Sequence, residues 1–224
     1  MKSHIVLTVA VFFGLLAMSC TSEPAILDLE ISVSSTEANA GDPVLFTFTG
    51  DTDFLTFYSG ETGKTYAQYP NAIAQTVNLV SGETTFAYTY SNLNETVTAT
   101  FIAASHGNWG EESKMEQFDF DLNIADNRTG ITSFTVKTGG LFGKQFEGVI
   151  NEENSSISVI VDPGTPLTAM TTIISTESTL AELYLNGTLF ENKSKVDYSG
   201  EDVVFQVRAA GGSIQEWIVL ITTL

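Results

Sequence analysis

Residues 203–221 read VVFQVRAAGGSIQEWIVLI, and they decide the architecture of the chain. Val203, Phe205 and Val207 recur at every second position, and beyond a turn so do Trp217, Val219 and Ile221. Successive side chains of an extended backbone point to opposite sides, so each set lines one face of a strand. Between them Ala210-Gly211-Gly212-Ser213 places glycine where a tight hairpin requires positive φ. The stretch predicts a β-hairpin with one buried face and Trp217 in the core beneath it.

The same period recurs in both directions along the chain. Ile157, Val159 and Val161 form a strand after a Glu152-Glu153-Asn154 turn and before Asp162-Pro163-Gly164. Upstream, Leu27, Leu29, Ile31 and Val33 alternate, as do Val44, Phe46 and Phe48 after the turn at Ala40-Gly41-Asp42-Pro43. Leu55 and Phe57, then Phe86, Tyr88 and Tyr90, then Val97, Ala99 and Phe101, and finally Phe118, Phe120, Leu122 and Ile124 mark further strands. Short strands punctuated by Gly, Asn and Asp turns predict an all-β chain of two tandem immunoglobulin-like β-sandwich domains. The expected boundaries are residues 26–126 and 129–224. Asp126-Asn127-Arg128-Thr129-Gly130 forms a polar, turn-rich junction too short for a flexible tether, so the two blocks are expected to meet end to end. One segment is ambiguous. Leu167, Met170 and Ile174 are spaced three then four apart behind Pro166 and a Thr165 cap, which fits either a short helix or a loop packing Met170 and Ile173 inward.

Two resemblances accompany this pattern. AGDPVLFTFTGDTDFLTFYSGETG (residues 40–63), followed by TFAYTYSNLNETVTATFIAAS (85–105), resembles the polycystic-kidney-disease-type immunoglobulin-like domain. The Trp-Asp-Phe-Gly-Asp-Gly hallmark of that family is replaced here by Phe57-Tyr58-Ser59-Gly60-Glu61-Thr62-Gly63, so only the fold carries over. The second block, with its ITSF opening at 131–134, Pro163-Gly164-Thr165 turn and closing hairpin, resembles immunoglobulin-like modules of unassigned function in surface lipoproteins of Bacteroidota. In the closing hairpin Trp217 stands for the usual tyrosine and Gly211 for the usual aspartate.

The N-terminus reads as an export signal. Lys2 precedes an apolar run from Ile5 to Leu16, about twelve residues and too short for a membrane-spanning helix. Leu16-Ala17-Met18-Ser19-Cys20 resembles a lipobox, which implies cleavage after residue 19, acylation of Cys20 and a short linker over 20–25. Cys20 is the one cysteine of the chain, and a thioether to lipid explains a lone thiol in an exported protein. The lipid bilayer is thus an expected partner, at the cell surface or the periplasmic face of an outer membrane.

Charge and residue inventory bound the function. Lys2 is the one charged residue lost with the signal, leaving 8 basic against 27 acidic residues and a formal charge of −19. Such a surface repels phosphate backbones, so nucleic-acid binding is excluded. Without its signal peptide the protein keeps His106 alone of two histidines, so a His/Cys zinc site is out of reach, and nothing resembling Gly-x-Ser-x-Gly accompanies His106. Glu111-Glu112 and Glu152-Glu153 are adjacent pairs in turns, where solvation explains them better than glycoside hydrolysis across a cleft. Asp119 and Asp121 share an exposed strand face. Gly139-Gly140-Leu141-Phe142-Gly143-Lys144 lacks P-loop spacing and reads as a hairpin. Asp51-Thr52-Asp53, with Asp42 and Glu61, is a candidate calcium corner without EF-hand spacing. No enzyme activity, cofactor or metal is expected.

Trp109 lies in a Gly-flanked polar loop with Asn108 and Glu111, a pattern that suits a ring stacking on the C–H face of a sugar. Tyr66 and Tyr69 would extend that platform if the two loops converge at one end of the sandwich. The expected function is a non-catalytic glycan-binding or glycan-uptake accessory lipoprotein, with polysaccharide and an outer-membrane protein complex as partners. The alternative is a structural spacer or a fimbrial-type assembly component.

Overall fold

The computed structural model describes residues 27–79, 84–107, 112–140 and 143–223. Cys20, Asn108, Trp109 and Glu111 lie outside them.

Strands dominate throughout. They are β1 (Asp28–Val33), β2 (Glu37–Asn39), β3 (Pro43–Asp51), β4 (Phe54–Tyr58), β5 (Gln75–Thr76), β6 (Thr84–Thr89), β7 (Glu95–Ser105) and β8 (Lys114–Ala125). There follow β9 (Ile131–Lys137), β10 (Gln145–Asn151), β11 (Ser156–Val161), β12 (Met170–Thr176), β13 (Glu182–Leu185), β14 (Thr188–Leu189), β15 (Lys195–Val196), β16 (Val203–Arg208) and β17 (Ile214–Thr223). A single 3₁₀ turn spans Tyr66–Gln68, and no α-helix occurs among the described residues.

The sheet orders are β1-β3-β6, β2-β8-β7-β4-β5 and β14-β13-β16-β17-β11-β10-β9-β12-β15. One connection type appears twice. Short β2 runs parallel to β8, and β11 runs parallel to β17, so that a strand from early in each block lies alongside the last strand of that block. Two sheets closed in this way, with antiparallel pairing elsewhere, make the chain an immunoglobulin-like β-sandwich protein.

Contact clustering separates two compact units: Met1–Ser32, Thr47–Thr85 and Ala99–Asp119 in the first, and Val33–Phe46, Phe86–Thr98 and Phe120–Leu224 in the second. In the first unit Phe101 packs between Phe48 (ring centroids 5.3 Å) and Phe57 (4.8 Å), which are inward residues of β3 and β4. In the second, Phe46 meets Phe86 and Phe120, and a larger cluster gathers Phe134, Val136, Ile157, Val159, Phe205 and Trp217. Trp217 is 2% exposed, faces Phe205 across the hairpin, and donates its indole N–H to the Thr129 carbonyl at 3.0 Å. That bond satisfies the one polar atom the ring would otherwise bury unpaired. The hairpin reading of 203–221 therefore holds, with Gly212 at φ +101° in its turn.

The long sheet is two leaves joined through β10. Residues Gln145 to Glu147 pair with β9, while Gly148 to Asn151 pair with β11. A side chain at Gly148 would put its Cβ 2.6 Å from Ile157 Cγ2 and 3.0 Å from Phe134 Cδ1. Only glycine lets the strand pass from one leaf to the other against those neighbours.

One expectation is corrected. Residues 167–174 contain no helix; β12 begins at Met170, with Met170, Thr172 and Ile174 inward and Ile173 on the other face. Four consecutive β-branched residues, Thr171 to Ile174, favour extended backbone, and pairing to β9 and β15 fixes their register. The junction at 126–130 is built around a buried carboxylate. Asp126 is 0% exposed and accepts from Arg128 Nε (2.9 Å) and Nη2 (2.7 Å), from the Arg128 backbone N–H (3.3 Å) and from Ser178 Oγ (2.6 Å). Its own N–H donates to Asn94 Oδ1 and its carbonyl accepts from the Gly211 N–H. Asn92 accepts from both Arg128 and the Thr179 N–H. At Gly211 a Cβ would lie 2.9 Å from the Asp126 carbonyl oxygen, so glycine there permits the close approach. This hub ties residues 90–94, 126–128, 178–179 and 209–211 together within the second unit. Burial pushes the Asp126 carboxyl up, but the bonds from Arg128 and Ser178 outweigh it and hold the group below the usual carboxylate range.

Candidate functional site

The strongest candidate surface is a stack of three tyrosines in the first unit. Inward residues of β4 are Leu55 and Phe57, so parity places Phe54, Thr56 and Tyr58 on the outward face. Tyr58 is nevertheless buried, because the loop after β4 returns over it. Tyr66 packs on Tyr58 with centroids 5.3 Å apart, and Tyr69 follows Tyr66 at 6.3 Å. Exposure rises along the stack, from buried Tyr58 through half-buried Tyr66 to Tyr69 at 68%. Exposed Ile73 lies in the same loop.

The loop is held in shape by its own bonds. The Gly60 N–H donates to the Lys64 carbonyl and the Ile73 N–H to that of Gly63. Glu61 accepts from Ser59 Oγ at 2.7 Å and from Lys64 Nζ at 2.9 Å. Burial raises the Tyr58 phenol, with Tyr66 and Tyr69 adding to the shift, so this hydroxyl stays neutral at ordinary pH. Register extends the site sideways: Tyr58 pairs with Thr100, whose hydroxyl donates to Asp119 Oδ1 at 2.7 Å, and Gln117 donates to Asp119 Oδ2 at 2.8 Å. An aromatic step thus stands beside a fixed carboxylate and amide. Flat rings beside oriented polar groups suit ligands with apolar C–H faces and hydroxyl edges.

In the structure the rings of Tyr66 and Tyr69 lie 6.3 Å apart. The loop that carries Trp109 lies outside the described residues. Tyr58, where the tyrosine loop begins, is opposite Thr100, whereas Phe54 at the other end of β4 is opposite Ala104, next to the exit of β7. Phe54 and Tyr58 thus mark opposite ends of β4, roughly 13 Å apart along the strand. Tyr58 itself was missed by sequence reasoning; its outward parity next to a 16-residue connection to β5 was the available signal.

The remaining candidates resolve into local structure. Asp53 Oδ2 accepts the His106 backbone N–H at 2.6 Å, and Ser105 Oγ bonds Thr52 Oγ1. His106 is exposed and lies edge-on to Phe54 at 5.4 Å. Asp51 caps the Thr52 N–H, Asp42 accepts from Asn39, and Glu61 is engaged as described. The calcium corner is not assembled: among the described residues no group of three or more His, Cys, Asp or Glu is placed to hold a metal. Asp119 and Asp121 do share an outward face, each accepting from a threonine of β7. No described helix is long and apolar enough to cross a membrane.

Comparison with known proteins adds the following. No curated protein matches the chain. Among solved structures, a Bacteroides fragilis NCTC 9343 protein, BF4250, described as secreted, aligns at 14% identity over 43% of this chain and 96% of its own, with a TM-score of 0.33. Murine CEACAM1b aligns at 11% identity over 88% of this chain and 100% of its own (TM-score 0.31). The tandem Ig repeats of Dlar align at 8% over 88% and 98% (TM-score 0.27). Residues 19–80, which include β1 to β5 and the tyrosine stack, match the family described as a domain of unknown function (DUF5017).

Proposed function

We propose that the chain is an exported surface protein, lipid-anchored through Cys20 to an outer membrane, that binds carbohydrate without catalysing a reaction on it. The observation that carries this reading is the tyrosine stack, with its outermost ring two-thirds exposed and its base fixed in the fold. A large exposed aromatic on an ordered loop is costly unless something covers it. Tyr69 and Tyr66 serve as the platform, Gln117 and Asp119 as polar partners, and Trp109, Asn108 and Glu111 as a second contact on their own loop. Anchoring follows the lipobox resemblance, and the polycystic-kidney-disease-like identity of residues 26–126 follows the strand motifs.

A glycan array on the purified chain tests the reading. Tyr69→Ala is expected to abolish retention of the bound glycan while leaving the melting temperature unchanged. An array on which the unmodified chain retains nothing would refute carbohydrate binding. Anchoring is tested separately: Cys20→Ser should no longer incorporate a clickable palmitate analogue, and normal labelling of that variant would sink the lipoprotein assignment.

A further inference from the structure

The outward side of the β16-β17-β11-β10 leaf carries exposed aliphatic side chains among its polar ones. Register aligns Val204, Ile218 and Ser156 in one row across β16, β17 and β11. The next row runs Leu220, Ser158, Val149, and the one beyond it pairs Thr222 with Ile160. Neighbouring strands lie about 4.8 Å apart, so Ile218, Leu220, Val149 and Ile160 form one patch. All four are exposed, Val149 by 71% and Ile160 by 53%. Inward parity in these strands is already satisfied by Val159, Trp217 and Val219, so folding does not ask for the outward side chains.

The chain contains its own control for this position. In the sheet where β2 runs parallel to β8, the corresponding outward positions carry Thr98 bonded to Asp121 and Thr96 bonded to Asn123. Here the matching positions are aliphatic, and acids border them. Glu147 and Glu216 precede Val149 and Ile218 by two residues on the same face. Glu152 and Glu153 share with Val149 an open groove of about 690 Å³. None of these four carboxylates forms an ion pair among the described residues.

The geometry points to this face, centred on Ile218 and Leu220, as a docking surface for a protein partner that brings aliphatic side chains bordered by lysine or arginine. Protein interfaces take this form, an apolar centre inside a charged or polar rim. A second copy of the chain fits poorly, because symmetry would set the acid rims against each other on a molecule of formal charge −18. Anionic headgroups meet the same repulsion. The face is built from residues of the second unit and includes none of those assigned to carbohydrate, so its fate is independent of that assignment.

The test uses the purified chain, isotope-labelled, and two synthetic strand peptides with the same alternating isoleucines, one carrying lysine and the other glutamate at the intervening positions. The lysine peptide is expected to shift amides around 149, 158, 160, 218 and 220 saturably. Its affinity should fall at least tenfold in Ile218→Ser/Leu220→Ser, or in Leu220→Thr if the double variant melts early. Equal binding of both peptides, shifts located elsewhere, or unchanged affinity in the variants would overturn the proposal. Sedimentation as a dimer that the variants dissociate would replace the partner with a second copy, and vesicle binding lost in the variants would replace it with a membrane.

Discussion

The outward face of β7 and β8 and the outward face of β17 and β11 belong to sheets that each contain one parallel pairing, and they differ in chemistry. On β7 and β8, Thr96, Thr98 and Thr100 each donate to Asn123, Asp121 and Asp119, and Asn123 bonds onward to Glu37 of β2. On β17 and β11, Ile218, Leu220 and Ile160 stand exposed beside serines and lone glutamates. Inward, the two regions agree: Ala99, Phe101, Leu122 and Ile124 in one, Val159, Trp217 and Val219 in the other. The contrast separates two demands on a strand. Inward parity is fixed by the need to bury a core, while the outward set is free to be solvated or to serve a contact.

If that separation is right, inward changes should be expensive and outward ones cheap. Trp217→Ala removes the largest inward side chain of β17 and orphans the Thr129 carbonyl; thermal or urea unfolding should show a loss of about 3–5 kcal/mol. A loss below 1 kcal/mol would break the comparison at its base.

Asp126 belongs to neither face, and breaking it tests whether the hub, rather than the cores, holds the second unit together. Arg128→Ala leaves a buried carboxylate unpaired and is expected to cost about 3–5 kcal/mol, close to the effect of Trp217→Ala. The pH dependence has a definite sign. Because the folded pKa of Asp126 is lowered, its stabilisation is fully present above the unfolded carboxylate value and is lost as pH falls through the folded value. Asp126→Asn should therefore flatten the acid limb of the stability profile below about pH 4. A limb that keeps its slope would remove Asp126 as the titrating group.

The same hub bears on the division of the chain. We propose that 26–126 and 129–224 fold separately, and a cut there parts Asp126 from Arg128. Residues 129–224 keep the whole cluster around Phe205 and Trp217 and should melt cooperatively, while 26–126 should melt at a lower temperature than it does within the intact chain. If neither piece folds, the boundary is wrong.

A smaller effect is expected at Gly148. Alanine there drives a methyl into Ile157 and Phe134 and should cost about 1–3 kcal/mol, measured by denaturant titration. Smallest of all are the outward swaps. Thr98→Val and Leu220→Thr should each stay within about 0.5 kcal/mol of the parent. A large loss from either would mean that the outward set is part of the fold after all.

Period-two spacing was enough to read Val44, Phe46 and Phe48, the 203–221 hairpin and the buried Trp217, because each depends on local parity. What it could not show depends on residues distant in sequence. Asp126 looks like a turn aspartate until Ser178 and Asn94 come against it. Tyr58 has outward parity and is buried only because a loop folds Tyr66 over it. The 167–174 segment misled because apolar spacing over eight residues fits two periods, and the β9 and β15 neighbours that decide between them lie elsewhere in the chain. Of the site, the pairing of Tyr66 with Tyr69 was legible from their nearness in sequence.

The parallel pairing of β11 with β17 has a mechanical consequence. Six residues of each strand are in register, from Ser156 with Ile218 to Val161 with Thr223. A load entering β11 from its N-terminal end and leaving β17 at its C-terminal end slides the two strands along each other instead of peeling them apart. All the bridging hydrogen bonds then resist at once, whereas a hairpin such as β16 and β17 opens one bond at a time.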